Sequence, residues 1–297
     1  MKKLSFLAIL AMAFAFVGCD QNKPDDYANY PQLIVGKWFN FTPESSVYME
    51  FMSNGAYYVV GYDENNVLGW MNWSGTYRMD SNKLVYTLSD GEVSDIVEVT
   101  SDTFICKAGS NSNMPELGDR VHYRVKESFD IKGNYSYLNS AVRVVPAAGK
   151  TALQLPEGVT FQGKNAIPVE AMHGDRIVDV MKKFFADATF AADGKLNHTM
   201  DGEAKTKNYT LDGNNLTFNL YEGSDTYKVN ATSFPDEDGD RLFIIIPKQA
   251  AWLGGMVDLV EKEQEGLKLT EAQIAELEKE FMATFDTFTV ILSLSKK

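Results

Sequence analysis

Cysteine and histidine are scarce in this sequence. Its 297 residues include two cysteines, Cys19 and Cys106, and three histidines. These numbers exclude a disulfide framework and a zinc site built from cysteines. The catalytic motifs G-x-S-x-G and H-E-x-x-H are absent from the sequence, as is a cysteine–histidine arrangement. We therefore expect a protein that is not an enzyme and that carries no cofactor and no metal.

Positive charge is scarce as well. The 28 lysines and arginines are outnumbered by 41 aspartates and glutamates, which gives a net charge of −13. Such a chain has little electrostatic attraction for nucleic acid or for anionic lipid head groups. We expect no nucleic-acid partner, and any attachment to a membrane requires another source of affinity.

The N-terminus carries an apolar run. Lys2 and Lys3 precede this run, which covers residues 4–17, is too short to span a bilayer as a helix and is typical of a signal peptide. The run ends in Phe16-Val17-Gly18-Cys19, which resembles a lipobox, the motif in which a cysteine thiol after small residues receives diacylglycerol. The sequence therefore predicts a signal peptide over 1–18 and lipidation of Cys19. An ordinary cleaved signal with a coincidental cysteine is the alternative.

The segment 19–32 is predicted to be a flexible acidic tether. Its residues 20–26 are polar and acidic, and they resemble the export signal that sends lipoproteins of some Gram-negative anaerobes to the outer face of the outer membrane. We expect an outer-membrane protein that is anchored by lipid on Cys19 and exposed at the cell surface. A solvated tether without an address is the alternative.

Residues 33–128 are predicted to form an antiparallel β domain. Short runs of aromatic and β-branched residues alternate there with polar turns, a pattern typical of a barrel or sandwich. The run 47–52 is apolar on both faces, which suits a barrel with a lined interior or one covered by a neighbour. Cys106 shares a strand face with Phe104 and is predicted to be a small buried hydrophobe.

Residues 129–297 are predicted to form a second β domain with helical insertions. Apolar residues spaced i, i+3, i+4 and i+7 predict helices near 175–185, 249–264 and 271–284, and Thr270 with Gln273 predicts a capping box for the last. Turn motifs of the first domain recur here, which indicates a divergent tandem duplication. The predicted fold class is mainly β, with two tandem antiparallel β-barrels.

The order of motifs in the first domain resembles the lipocalin-like (calycin-type) bacterial surface lipoproteins. Gly36-x-Trp38 is followed by a hairpin at Asn54-Gly55 and by the strand Gly75-x-Tyr77. The resemblance implies that Trp38 closes one end of a barrel and that the interior holds a small apolar ligand. Eight aromatic residues are the candidate ligand-lining set: Trp38, Tyr48, Phe51, Tyr58, Trp70, Trp73, Tyr77 and Tyr86. In the second domain, Tyr135 replaces the tryptophan.

The histidines and one acidic turn offer little further chemistry. His122 is predicted to face solvent together with Arg124, whereas His198 alternates with Leu196 and Met200 and is predicted to face inward. Asp236, Asp238 and Asp240 resemble calcium ligands but lack the distal glutamate of an EF-hand. We therefore predict that these residues form a hairpin turn.

Two functions fit the sequence. The first is a monomeric, lipid-anchored cell-surface protein that binds a small apolar ligand in a barrel. The alternative is a surface interaction or adhesion module that contacts protein or glycan and has no internal ligand. An enzyme would require two close carboxylates beside His198.

Overall fold

The structure is a computed structural model that describes residues 27–41, 45–63, 70–86, 93–107, 119–172, 174–200, 202–220, 227–236, 238–264 and 266–297. The predicted signal peptide, Cys19 and residues 20–26 of the predicted tether lie outside the described residues. The chain divides into two compact units between Arg124 and Val125. The described strands of each unit form a closed antiparallel barrel of eight strands. The predicted fold class is therefore confirmed.

The first unit is an up-and-down barrel in which each strand pairs with the next and the last pairs with the first. A 3-10 turn over Tyr27–Asn29 and a short helix, α1, precede the first strand. In chain order the elements are α1 Tyr30–Leu33, β1 Gly36–Phe41, β2 Ser45–Phe51, β3 Ala56–Asp63, β4 Trp70–Asp80, β5 Lys83–Tyr86, β6 Val93–Val99, β7 Thr103–Cys106 and β8 Arg120–Arg124.

The seam between β1 and β8 closes the first barrel, and Trp38 pairs with Arg124 across it. Trp38 is fully buried, and its Nε1 donates a hydrogen bond to the Ile34 carbonyl at 2.7 Å. The Arg124 guanidinium lies 4.0 Å from the centre of the Trp38 ring, in a cation–π contact. Arg124 also donates hydrogen bonds to three backbone carbonyls, those of Leu33, Val35 and Ser101. These contacts hold the segment before β1 over this end of the barrel.

Strand alternation gives the first barrel two apolar faces. Trp38 and Met49 are paired across β1 and β2. Both pack in the group of hydrophobic side chains inside the first barrel, which we call the interior cluster. Phe39 and Tyr48 are paired on the outer face and are also buried. The burial of both faces that the run 47–52 predicted is thus observed at Tyr48 on the outer face and at Phe51 on the inner face.

The second unit is a barrel with two insertions. One insertion separates the first two barrel strands, β9 and β12, and the other separates the last two, β17 and β18. In chain order the elements are β9 Gly133–Pro146, β10 Ala152–Gln154, β11 Ala166–Pro168, a 3-10 turn Val169–Ala171, α2 Gly174–Phe184, β12 Ala188–Phe190, β13 Lys195–Met200, β14 Glu203–Asp212, β15 Asn215–Asn219, β16 Lys228–Pro235, β17 Arg241–Ile246, α3 Ala251–Glu263, α4 Glu271–Thr284 and β18 Phe285–Lys296.

The three predicted helices correspond to α2, α3 and α4. The Thr270 side chain accepts from the Gln273 amide and the Gln273 side chain accepts from the Thr270 amide, so the capping box before α4 is confirmed. Within the described parts of the chain, none of the helices combines the length and the apolar character that crossing a bilayer requires. The hairpin of β10 and β11 was not predicted, because three-residue strands are too short to show alternation.

The same hairpin stands at corresponding positions of the two barrels. Gly55 and Gly194 both have positive φ angles, of 82° and 75°, at the turn after the second strand. The Tyr77 amide donates to the Gly55 carbonyl at 2.7 Å, and the Tyr209 amide donates to the Gly194 carbonyl at 2.9 Å. The two tyrosine hydroxyls also donate to equivalent carbonyls. This matched geometry supports the tandem duplication.

Asp236 and residues 238–240 connect the antiparallel strands β16 and β17, at the place of the predicted hairpin turn. The Asp236 amide donates to the Arg241 carbonyl at 3.0 Å, and the Asp236 carboxylate accepts from the Arg241 amide at 3.0 Å. The Asp236 side chain is therefore used to hold the turn.

Gly36 begins β1 with a φ of 136°, and a Cβ there would collide with Nη1 of Arg124. We expect Gly36→Ala to lower the free energy of unfolding of the first unit by about 2–3 kcal/mol, from backbone strain and lost Arg124 hydrogen bonds. Gly149→Ala is the matched control, because Gly149 also has positive φ but open space around its Cβ. Urea unfolding measures both. Equal losses in the two variants would show that the Arg124 contacts are not affected.

Candidate functional site

The interior of the first barrel is the candidate site, and three of the predicted lining residues meet there. Trp38, Phe51 and Tyr77 belong to one interior cluster around Phe104. The Phe104 ring packs edge-on against Trp38 at 4.9 Å, and Phe51 packs edge-on against Tyr77 at 4.9 Å, both between ring centres. These aromatic pairs form the wall of the barrel at the end that Arg124 covers.

Tyr48 and Tyr58, by contrast, lie on the outer face of the barrel. The Tyr48 hydroxyl donates to the Glu50 carboxylate at 3.2 Å, and the Tyr48 and Tyr58 rings are 6.5 Å apart. Tyr48 follows Val47 and precedes Met49, and both of those residues pack on the interior cluster. Because side chains alternate along a strand, Tyr48 cannot line the interior from this position. The prediction that Tyr48 and Tyr58 line the interior is therefore wrong.

The remaining predicted residues are placed only by their backbones. Trp70 and Trp73 lie in β4, and Tyr86 lies in β5. Their side chains lie outside the described part of the structure. Their inclusion in the lining set stays a prediction.

His122 faces the barrel interior, so its predicted exposure to solvent is wrong. It is 2% exposed, pairs with Phe104 across β7 and β8, and stacks flat on the Phe104 ring at 4.2 Å between centres. Its Nδ1 has no hydrogen-bond partner among the described residues. Burial, and to a lesser extent the nearby charge of Arg120, lower the pKa of His122 from 6.5 to about 3, against the smaller opposing effect of hydrogen bonds to the backbone of Arg120 and Phe104. The imidazole is therefore neutral at physiological pH.

Cys106 lies next to His122 on the inner face and behaves as predicted. It is buried and free, and it packs in the interior cluster. Burial raises the pKa of its thiol to about 12. Since the thiolate is the reactive form, Cys106 serves as a small apolar wall residue.

The second barrel is filled differently, by side chains from its first insertion. Phe184 and Phe185, at the end of α2, pack in the interior cluster with their ring centres 6.0 and 5.9 Å from that of Phe218. His198 is buried against Phe184, with the ring centres 4.0 Å apart, and its predicted inward orientation is confirmed. His173 lies outside the described residues.

The last strands of the two barrels differ in polarity at equivalent positions. Trp38 pairs with Arg124 in the first barrel, and Tyr135 pairs with Lys296 in the second. His122 lies two residues before Arg124, and Leu294 lies two residues before Lys296, so these two positions correspond. Leu294 is fully buried. Leucine therefore fits this position of the architecture, and the first barrel has a polar group instead.

No protein-family model matches the chain, and no curated protein shows significant similarity to it.

His122 makes stability depend on pH. The unfolded chain takes up a proton on this residue near pH 6.5, whereas the folded chain resists protonation until about pH 3. Stability is therefore lost as pH falls through this window, by up to about 1.4 kcal/mol per pH unit for one proton. We expect His122→Leu to remove this pH dependence of the unfolding free energy. The measurement is the difference in unfolding free energy between the variant and the wild type at pH 7, 6 and 5, which is expected to change with pH. A constant difference would mean that His122 titrates normally in the fold.

Proposed function

We propose that the protein is a lipid-anchored binding protein of the outer membrane, exposed at the cell surface, whose first barrel holds a small apolar ligand. In this proposal both barrels are lipocalin-like. Two features of the first barrel support this: the motif Gly36-x-Trp38 at its start and the position of Trp38 at its closed end.

The observation that carries the proposal is the polar group inside an apolar barrel. Ligand pockets are mostly apolar and contain a few polar groups that orient the ligand. The cluster around Trp38 and Phe51 supplies apolar wall, and Nδ1 of His122 supplies a hydrogen-bonding group without a described partner. A ligand with a polar atom would satisfy that nitrogen.

The first barrel is a better candidate than the second. Phe184 and Phe185, at the end of α2, pack inside the second barrel, whereas the described interior cluster of the first barrel comes from its strands and from the segment just before β1. In the proposal the second barrel is a packed scaffold.

The anchor rests on the N-terminal sequence. Acyl chains on Cys19 contribute about 0.8 kcal/mol per buried CH₂, so two or more chains hold a protein on a membrane without any apolar surface patch. This suits an acidic chain with little attraction for lipid head groups.

The anchor is tested by Cys19→Ala in a Gram-negative host. We expect the variant to lose incorporation of labelled palmitate and to leave the membrane fraction, because the acceptor thiol is gone. Cys106→Ala is the matched control and keeps both properties. Protease treatment of intact cells tests surface exposure of the wild type. Labelling that persists in Cys19→Ala would refute the anchor.

Ligand binding is tested with the neutral apolar fluorophore N-phenyl-1-naphthylamine and the protein without its first 19 residues, which retains all described elements. Val59 is buried on the inner face, whereas Val97 is 49% exposed. We expect Val59→Phe to weaken binding several-fold by occupying interior space, and Val97→Phe to bind like the wild type. Circular dichroism checks the fold of both. Absence of binding to the wild type, or equal binding by the two variants, would contradict an interior site.

A further inference from the structure

The seam that closes the first barrel is its shortest ladder. β1 and β8 pair at two positions, Trp38 with Arg124 and Phe39 with Tyr123. Every other ladder between the described strands of this barrel is longer. In the second barrel, by contrast, the seam between β9 and β18 is the longest ladder. Among its described strands, the first barrel is therefore held together least by backbone pairing at the place where it closes.

A side chain takes the place of the ladder beyond these two pairs. Asn40 continues β1 in the register of the seam, opposite His122, but the described residues form no further ladder pair there. Instead, Nδ2 of Asn40 donates a hydrogen bond to the Val121 carbonyl at 2.6 Å. The other half of the seam is different, because Arg124 ties it down through three backbone carbonyls.

The interior side chain at the weak half of the seam is buried at a cost. His122 is 2% exposed, and its Nδ1 has no hydrogen-bond partner among the described residues. A buried nitrogen without a partner destabilises the closed barrel, and water bonds to it when the strands separate. At the corresponding position the second barrel has the fully buried Leu294, which only loses apolar burial on exposure to water. Separation of the strands is therefore easier in the first barrel.

We propose that the first barrel opens at this seam while the rest of the barrel stays folded. In the open state the start of β8, residues 120–122, separates from Asn40, and the two ladder pairs at the closed end persist. Local openings of this kind expose interior groups at a smaller free-energy cost than complete unfolding. The opening goes beyond the proposed function and requires no ligand. Within that function, it provides a path to an interior that is otherwise packed.

Cys106 reports the opening without an engineered label. It is buried on the inner face of β7 and pairs with Arg120, the first residue of β8. It is also the single cysteine of the protein without its first 19 residues. A thiol reagent therefore reaches it when the interior is exposed, either by opening of the seam or by complete unfolding.

The test measures the rate at which methyl methanethiosulfonate, a small neutral reagent, labels Cys106, with mass spectrometry as the readout. The reaction rate of the unfolded chain and the unfolding equilibrium constant from urea titration together give the labelling rate that complete unfolding alone allows. We expect the folded protein to be labelled at least about tenfold faster than this limit. We also expect the rate to be insensitive to low concentrations of urea, because a local opening exposes little surface.

Three variants distinguish opening of the seam from complete unfolding. Asn40→Ala removes the bond to Val121 and raises the labelling rate about three- to tenfold. Asn82→Ala is the matched control and is labelled like the wild type, because the Asn82 amide donates to the Ile96 carbonyl, at 3.5 Å, away from the seam. Leu84→Ala removes a fully buried side chain of β5, on the opposite side of the barrel. It lowers the stability of the whole barrel without raising the labelling rate.

Four results contradict the opening. They are a wild type labelled no faster than complete unfolding allows, an Asn40→Ala variant labelled like the wild type, an Asn82→Ala variant accelerated as much as Asn40→Ala, and a Leu84→Ala variant whose labelling rises in proportion to its unfolding constant. If Leu84→Ala does not fold, Leu84→Val applies the same test with a smaller cavity. Binding of N-phenyl-1-naphthylamine is measured separately, so the proposed function does not stand or fall with the opening.

Discussion

Each unit of this protein depends on the pairing of its last strand with its first. An open eight-stranded sheet would present two edges with unpaired amides and carbonyls, and the seam removes both. In the two barrels the seam has the same register, with Trp38 opposite Arg124 and Tyr135 opposite Lys296. Gly36 and Gly133 enter these seams with φ angles of 136° and 151°. The Arg124 guanidinium occupies the space that a Cβ on Gly36 would need, and Cε of Lys296 lies 3.2 Å from the place of a Cβ on Gly133.

The two units use one architecture with different interiors. In the first, the aromatic wall comes from the strands themselves, as Phe51 and Phe104 show. In the second, the interior is completed by a helix outside the barrel, which brings Phe184 against Phe218. Because protein interiors are close-packed, a helix that contributes large side chains leaves less room for anything else. The insertion therefore fills the second interior from outside its strands, whereas the described interior of the first is lined mainly by its own strands.

Much of the fold was predictable because its signals are periodic. The helix ending at Thr284 was predicted at its observed bounds, since its apolar stripe and its capping box agree. The orientation of side chains within polar strands was less predictable. In Val121-His122-Tyr123-Arg124 the polar residues His122 and Arg124 share one face and Val121 and Tyr123 share the other, so alternation alone favours the wrong inner face. Only the pairing of His122 with Phe104, a contact between distant parts of the sequence, decides it. Tyr48 has a different cause of error, because both faces of the run 47–52 carry apolar side chains and alternation does not distinguish them.

The energetics of His122 favour a role beyond packing. A buried nitrogen without a hydrogen bond costs about 1–3 kcal/mol, and leucine at the equivalent place in the second barrel avoids that cost. Stacking on Phe104 offsets part of it, since a ring pair contributes about 0.5–1.5 kcal/mol. Under the proposed function, a ligand group that bonds to this nitrogen recovers the lost hydrogen bond, so His122 would favour the occupied barrel over the empty one.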